Sequence, residues 1–158
     1  GKMIMACGTG KTFTSLRIAE ELAGVDKTVL YMVPSLALMS QTVREWKNDA
    51  KEDLTAFSAC SDDKVGKKKA SDDQIEVNLN DLAFPATTDA RKLSEQIKNA
   101  DKTKMTVVFS TYHSIDVISK SQYEHELGDF DLIVCDEAHR TTGATLVGDD
   151  ESNFVKIH

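Results

Sequence analysis

Short apolar runs rich in β-forming residues alternate along this chain with segments whose apolar residues recur at helical spacing. A helix that connects two neighbouring strands makes those strands parallel, and such helices cover the faces of the sheet. The alternation therefore predicts an α/β fold, a three-layer sandwich with a mainly parallel central sheet. With 158 residues, of which 41% are hydrophobic and 28% charged, the chain is expected to form one domain.

Strands are predicted from β-rich apolar runs that end at turn signals. They fall at residues 3–6, 28–33, 54–59, 84–88, 105–109 and 130–135. The segment 61–81 is polar and charged, so we expect an exposed, mobile loop there. The tail from Thr141 is expected to be mostly irregular.

Four helices are expected between these strands. The first follows the glycine-containing turn after residue 6 and runs through Leu22, where Gly24 can end it. Ser35 and Asp89 are placed to cap the second and third helices, and a fourth lies around residues 115–118. The expected buried residues of the second and third helices are Leu36, Met39, Val43, Trp46, Leu93, Ile97 and Ala100.

The composition restricts the class of protein. A net charge of −7 argues against a stand-alone nucleic-acid-binding protein, because phosphate neutralisation requires clustered Lys and Arg. Cys7, Cys60 and Cys135 form no CxxC pair, so neither a disulfide framework nor a zinc site is expected. No apolar run approaches the roughly 20 residues of a membrane span. We therefore expect no membrane contact and a cytoplasmic location.

Residues 5–12, MACGTGKT, lie where a strand is expected to turn into a helix. Backbone N–H groups in such a turn can wrap a polyphosphate, and the N-terminus of the helix attracts the anion. Lys11 would bind the β- and γ-phosphates of ATP, and the hydroxyl of Thr12 would bind Mg²⁺. The predicted nucleotide-binding residues are Cys7, Gly8, Thr9, Gly10, Lys11 and Thr12. Met5 stands where the strict GxxxxGKT pattern has glycine, and the alternative is a glycine-rich turn without a ligand.

A second motif, DLIVCDEAHR at 131–140, is an apolar strand followed by two adjacent carboxylates. In open parallel sheets, ligands bind where the strands end. We predict that Asp136 holds Mg²⁺ and that Glu137 orients and deprotonates the attacking water. His139 is assigned a coupling role that relays the nucleotide state, although most histidines are satisfied polar residues. Together with the GKT turn, the acidic pair indicates nucleotide hydrolysis.

These segments resemble the motifs of superfamily-two helicases. MACGTGKT is similar to motif I, and DEAH at 136–139 is similar to motif II. VPSLALMSQ at 33–41 resembles motif Ia, PATTD at 85–89 resembles the Ib region, and VFSTYHSI at 108–115 resembles the segment before the DEAH strand. The combination is most similar to the restriction-enzyme branch, which includes type III restriction subunits and single-polypeptide restriction-modification enzymes. The resemblance implies a RecA-like P-loop NTPase lobe that uses ATP and Mg²⁺.

The resemblance also implies contacts with nucleic acid. Residues at the matching positions would contact the sugar-phosphate backbone of DNA, which carries no sequence information and suits a motor that passes every sequence. These residues are Ser35, Gln41, Thr87, Thr88, Ser110 and Thr111. An equally weighted alternative is that Ser35, Thr88 and Ser110 are helix caps or strand-end residues.

In such enzymes a second motor lobe completes the site, and nuclease and methyltransferase modules belong to the same polypeptide. The chain begins just before the glycine-rich turn and ends at His158, so we expect it to be the first lobe alone. An arginine from a partner lobe contributes about 10³-fold or more to turnover. The isolated chain is therefore expected to bind nucleotide weakly and to hydrolyse it slowly. Two alternatives remain, an RNA helicase and a nucleotide-dependent scaffold without turnover.

Overall fold

The computed structural model of the protein describes residues 3–5, 9–61 and 86–137. Its strands are β1 (Thr28–Val33), β2 (Leu54–Ala59), β3 (Ala86–Thr87), β4 (Met105–Thr111) and β5 (Leu132–Cys135). Its helices are α1 (Lys11–Leu22), α2 (Leu36–Asp49), α3 (Ala90–Lys98) and α4 (Ile115–Tyr123). A short 3-10 turn at Tyr112–Ser114 connects β4 to α4.

The described strands form one sheet in the order β3-β2-β4-β1-β5, and every neighbouring pair is parallel. β1 lies between β4 and β5. Its pairing with β4 ends at Val33 opposite Thr111, and its pairing with β5 ends at Met32 opposite Cys135. The predicted α/β class and the mainly parallel sheet are confirmed.

Helices cover both faces of the sheet. Alternate residues of β1 show this, because Val29, Tyr31 and Val33 pack on the face that carries α1 and α2. Leu30 and Met32 pack on the opposite face, against α3 and α4. Burial on both faces explains why the sequence of this strand is apolar throughout instead of alternating with polar residues.

Three aromatic side chains form the centre of the α1/α2 face. Tyr31, Trp46 and Phe109 are almost completely buried. The ring centroids of Tyr31 and Trp46 are 5.0 Å apart, and those of Trp46 and Phe109 are 5.7 Å apart, both in edge-to-face geometry. Such pairs add to the free energy gained from area burial alone. This cluster attaches α2 to the two central strands.

The predicted helix ends are confirmed. Ser35 caps α2, because its hydroxyl accepts a hydrogen bond from the backbone N–H of Leu38 at 3.3 Å. Asp89 caps α3 by accepting bonds from the first backbone N–H groups after Ala90. Gly24 follows the end of α1 at φ +76°, a left-handed conformation that glycine adopts at low cost.

The predicted strand at residues 3–6 is wrong for the three residues described. Residues 3–5 are not in a strand, and Met3 and Ile4 are 44% and 84% exposed. No described strand pairs with them, and an apolar run without a hydrogen-bonded neighbour does not form a strand. Conversely, β4 extends two residues beyond the predicted end, because Ser110 and Thr111 pair with β1 although they are polar.

Some predictions fall on residues that the structure does not describe. Apart from Ser61, the expected loop at 61–81 lies outside the described residues, as does the tail from Thr141. Of the strand predicted at 84–88, β3 contains two residues, and β5 begins at Leu132 instead of residue 130. None of the helices in the described part of the chain has the length and apolarity needed to cross a membrane.

Asp131 joins the starts of β1 and β5. Its carboxylate accepts a hydrogen bond from the backbone N–H of Thr28 and another from the ammonium of Lys27, both at 2.9 Å. Its own backbone N–H donates to the carbonyl of Thr28 at 2.9 Å. The bond from the Thr28 N–H, followed by that from Lys27, holds the pKa of Asp131 below its usual value. The carboxylate thus helps to set the register of the two strands.

We expect Asp131→Asn to lower the free energy of unfolding near neutral pH and to have little effect in acid. A carboxylate whose pKa is lowered on folding contributes stability above its unfolded-state pKa, and this contribution disappears as the pH falls through the folded-state pKa. Urea denaturation of both chains between about pH 7 and about pH 2 measures the difference. Asp129→Asn, at an exposed position, is the control. A loss of the same size at every pH would contradict the prediction.

Candidate functional site

The two motifs singled out in the sequence meet at one edge of the sheet. All strands are parallel, so their carboxyl ends lie together, and α1 begins at the same edge. The ammonium of Lys11 lies 2.8 Å from a carboxylate oxygen of Glu137, although the two residues are 126 positions apart. Both side chains are partly exposed, at 28% and 29%. The start of α1 and the end of β5 therefore form one continuous surface.

The first turn of α1 has the geometry expected of an anion-binding helix start. Gly10 precedes the helix at φ +81°, and its carbonyl accepts the first helical bond from Thr14 N–H at 2.9 Å. A Cβ at Gly10 would meet nothing within 4 Å, so the backbone conformation and not lack of space favours glycine. Unlike Ser35 and Asp89, Gly10 has no side chain with which to cap its helix. The positive end of the helix dipole is therefore not offset by a cap.

Two side chains restrain the first turn of α1 by hydrogen bonds to its backbone. The hydroxyl of Ser15 donates to the carbonyl of Thr12 at 2.7 Å, and the indole N–H of Trp46 donates to the same carbonyl at 3.2 Å. From the sequence, Trp46 is predicted only as a core residue. A buried tryptophan usually needs a partner for its N–H, and this is the signal that could have indicated the contact. Trp46 thus connects α2 to the residues that carry Lys11.

The chain is tightly constrained where it leaves β5. Asp136 N–H donates to the carbonyl of Met32 at 2.8 Å, which continues the sheet pairing by one residue. Glu137 N–H then donates to the carboxylate of Asp136 at 2.9 Å. Glu137 itself has φ +55°, a left-handed conformation that is unfavourable for residues with a Cβ. Such strain is found preferentially at functional positions.

The electrostatic environment of Asp136 disfavours its charge. Burial is the largest cause that raises the pKa of this carboxyl above its usual value, and the negative charge of Glu137 acts in the same direction. The backbone N–H of Glu137 and the charge of Lys11 oppose the shift. A cation near Asp136 would favour the ionised form.

The residues present fit a Mg²⁺ site completed by a nucleotide. In the described ranges there is no cluster of three or more His, Cys, Asp or Glu side chains that could hold a metal alone. Mg²⁺ in nucleotide sites needs only one or two protein oxygens, since phosphates and water complete its coordination. Thr12 supplies a hydroxyl and Asp136 a carboxylate, the hard oxygen donors that this cation prefers. Glu137 follows Asp136 directly and carries a second carboxylate.

Three of the predicted site residues lie outside the part of the chain that the structure describes. They are Cys7, Gly8 and His139. Thr9 and Gly10 are exposed at the start of α1, and Lys11 and Thr12 form its first turn. Of the six residues predicted to bind the nucleotide, four are described, and one of them, Lys11, contacts the acidic pair through Glu137.

The predicted nucleic-acid contacts divide into two groups. Ser35, Gln41 and Thr88 are exposed, and Gln41 donates a hydrogen bond to Glu45 at 2.7 Å. Ser35 acts as the helix cap that the alternative interpretation required.

The other three predicted contacts, Thr87, Ser110 and Thr111, are only 7%, 0% and 5% exposed. Ser110 donates to the carbonyl of Thr111 at 3.1 Å, and the hydroxyl of Thr111 is 2.9 Å from that of Ser114. These three side chains are buried in this structure, and their contact with nucleic acid stays a prediction.

This five-stranded parallel sheet with helices on both faces is that of the first, RecA-like motor lobe of superfamily-two helicases. The family model described as "Type III restriction enzyme, res subunit" matches residues 1–157. The chain belongs to this family. The predicted restriction-enzyme branch is thereby confirmed.

Similar proteins agree with this assignment. "ATP-dependent Type ISP restriction-modification enzyme LlaBIII bound to DNA" is 40% identical over the whole chain, with a TM-score of 0.80. A nuclease-deletion mutant of the Type ISP enzyme LlaGI, in complex with a DNA substrate mimic, is 39% identical with a TM-score of 0.73. "Probable helicase" proteins of two African swine fever virus isolates are 32% identical over 140 residues, 88% of this chain.

These relatives are much larger than the chain. It spans 13% of the length of the viral proteins and 10% and 14% of the LlaBIII and LlaGI chains. The similarity therefore concerns the motor lobe and does not extend to the other parts of those enzymes.

We expect Gly10→Ala to destabilise the chain by about 1–2 kcal/mol, because alanine is strained at positive φ. Gly128 is a matched control, since it has the same φ of +81° and a Cβ there would also meet nothing within 4 Å. Gly128→Ala should cost a similar free energy of unfolding, measured by urea denaturation. A neutral Gly10→Ala beside a destabilising Gly128→Ala would contradict the conformation described for the start of α1.

Proposed function

We propose that this lobe binds ATP with Mg²⁺ and hydrolyses it to drive movement along double-stranded DNA, within a larger restriction-modification enzyme. One observation carries the proposal. Lys11 and Glu137, from motifs 126 residues apart, approach to 2.8 Å at the carboxyl edge of the sheet, where ligands bind in such folds. A lysine at a helix N-terminus beside two carboxylates suits a metal-bound polyphosphate and few other ligands.

Each group has a defined role in this proposal. Backbone N–H groups of residues 7–10 would wrap the phosphates, and Lys11 would leave Glu137 to bind the β- and γ-phosphates. Thr12 and Asp136 would hold Mg²⁺, which neutralises charge on the phosphates when bound. Glu137, released from Lys11, would accept a proton from the water that attacks the γ-phosphorus, and ADP would leave. His139 would relay the nucleotide state to a second motor lobe.

The proposed DNA contacts lie on the same edge. Thr88 follows β3 directly, Ser35 lies two residues after the end of β1, and Gln41 lies in the second turn of α2, so exposed polar groups lie near the carboxyl ends of the strands. Hydroxyl, amide and backbone N–H groups can contact phosphates without sequence preference. Since the chain has a net charge of −7, we propose that most of the cationic surface belongs to a second motor lobe and to nuclease and methyltransferase modules of the same polypeptide.

Nucleotide binding can be followed with the single tryptophan, because Trp46 is bonded to the carbonyl of Thr12 in the first turn of α1. We expect Mg·ATP to change its fluorescence, and Lys11→Ala to weaken binding roughly tenfold or more, since a charge-assisted hydrogen bond is lost. Lys102→Ala, which removes an exposed ion pair with Asp26, is the control. Gly10→Ala should also weaken binding, whereas Gly128→Ala should not.

Hydrolysis is tested with Glu137→Gln in the full polypeptide that carries this lobe. We expect the variant to bind Mg·ATP and to lose at least about a hundredfold in turnover, because the base for the attacking water is removed. Full turnover by Glu137→Gln would favour the alternative of a nucleotide-dependent scaffold. Rapid DNA-stimulated hydrolysis by the 158-residue chain alone would contradict the expected need for a second lobe.

The substrate is tested by comparing stimulation of the ATPase activity by double-stranded DNA and by RNA. We expect stimulation by double-stranded DNA in the full polypeptide, and a reduced response in a Gln41→Ala, Thr88→Ala double variant. Thr103→Ala, an exposed position away from the carboxyl edge, is the control. Stimulation by RNA alone would favour the alternative of an RNA helicase.

A further inference from the structure

Tyr112 is a buried residue whose polar atom reaches the candidate site. It lies in the 3-10 turn after β4, and its side chain is 0% exposed among apolar residues on the α3/α4 face. Its hydroxyl donates a hydrogen bond to the backbone carbonyl of Asp136 at 2.7 Å, across 24 residues. A phenylalanine would fill the same space, so the hydroxyl is the feature that packing alone does not explain.

The carbonyl of Asp136 determines the direction of the residues that follow it. Asp136 is held at its N–H by Met32 in the sheet, and at its carboxylate by the N–H of Glu137. The hydrogen bond from the Tyr112 hydroxyl restrains a third group of Asp136, its backbone carbonyl, which belongs to the peptide that joins Asp136 to Glu137. Rotation of that peptide would change both the direction of the Glu137 side chain and the bond between its N–H and Asp136.

Glu137 depends on this restraint because its own conformation is unfavourable. Its φ of +55° is a left-handed value for a residue with a Cβ. Strained conformations persist only when the surroundings hold them in place. The hydroxyl of Tyr112 bonds to this peptide from outside β5 and its sheet neighbour β1.

We propose that Tyr112 is a positioning residue, whose hydroxyl holds the carbonyl of Asp136 and so directs the carboxylates of Asp136 and Glu137 toward the metal-nucleotide site. The inference rests on the proposed function of that site. Tyr112 touches neither nucleotide nor metal in this proposal and acts only through the backbone of Asp136.

The hydroxyl of Tyr112 is well suited to donate this hydrogen bond. Burial raises the pKa of Tyr112 far above its usual range, and the nearby charge of Asp136 acts in the same direction. Near neutral pH the hydroxyl is therefore protonated and can donate the hydrogen bond to Asp136. The thiol of Cys135 lies beside it and is itself buried, which raises the pKa of that thiol and keeps it neutral.

The test uses Tyr112→Phe, which keeps the buried ring and removes only the hydroxyl. Tyr123→Phe is the matched control, because Tyr123 is 86% exposed at the end of α4. Two quantities are measured on the 158-residue chain: hydrogen exchange of the Glu137 amide without nucleotide, and the Mg²⁺ concentration that gives half-maximal enhancement of ATP binding, followed by Trp46 fluorescence.

We expect Tyr112→Phe to speed exchange of the Glu137 amide roughly three- to tenfold, the equivalent of one lost hydrogen bond. The Mg²⁺ requirement should rise about tenfold, as is typical when a group that orients a ligand is removed. ATP binding without Mg²⁺ should stay unchanged, as should both quantities in Tyr123→Phe. Thermal unfolding of each variant separates these local effects from a general loss of stability.

A purely structural role would lower the stability of Tyr112→Phe and leave its Mg²⁺ requirement unchanged, and this outcome would overturn the proposal. Unchanged exchange of the Glu137 amide would overturn it as well. If the wild-type chain shows no Mg²⁺-dependent binding of ATP, the proposed function itself fails. That result is distinct, since a failure confined to Tyr112 leaves wild-type binding intact.

Discussion

Parallel pairing of β1 with β4 and β5 is the constraint on which the candidate site depends. Because the strands run in one direction, the residues that follow them come together at a single edge, and the helix that carries Lys11 begins there. The ion pair between Lys11 and Glu137 is a consequence of this topology. An antiparallel arrangement of the same strands would place β5 with its acidic pair at the opposite edge.

Three features of the candidate site reduce stability. α1 begins at a glycine without a capping side chain, Asp136 has a pKa raised by burial, and Glu137 has a left-handed backbone. Ser35 and Asp89, in contrast, cap the helices α2 and α3, and apolar layers pack on both faces of the sheet. Local departures from good folding chemistry are expected where a protein binds ligands or performs catalysis.

Trp46 and Tyr112 offset part of this cost by holding the backbone of Thr12 and Asp136 from two sides of the sheet.

The restriction-enzyme family was predictable because its motifs are local. A glycine-rich turn before a helix and an acidic pair after an apolar strand can each be recognised from a few neighbouring residues, as can Ser35 and Asp89 as caps. A strand at residues 3–6 cannot be predicted reliably from neighbouring residues, since a β-strand also needs a partner strand to which it can hydrogen-bond. The strand predicted at residues 105–109 is too short for a related reason. Polar residues at the end of an apolar run suggest that a strand has ended, but pairing with β1 continues through Ser110 and Thr111.

The class of fold, most element boundaries and the residue types of the proposed metal-nucleotide site can be predicted from the amino-acid sequence, because they follow from periodicity and from chemistry within short segments. Which of those residues meet depends on how the strands and helices pack. The order of the strands places Glu137 against Lys11, and the packing of β4 and α2 brings the hydroxyl of Tyr112 and the indole of Trp46 to carbonyl groups distant in sequence. Such contacts depend on the arrangement of whole elements, and no local pattern in the chain specifies them.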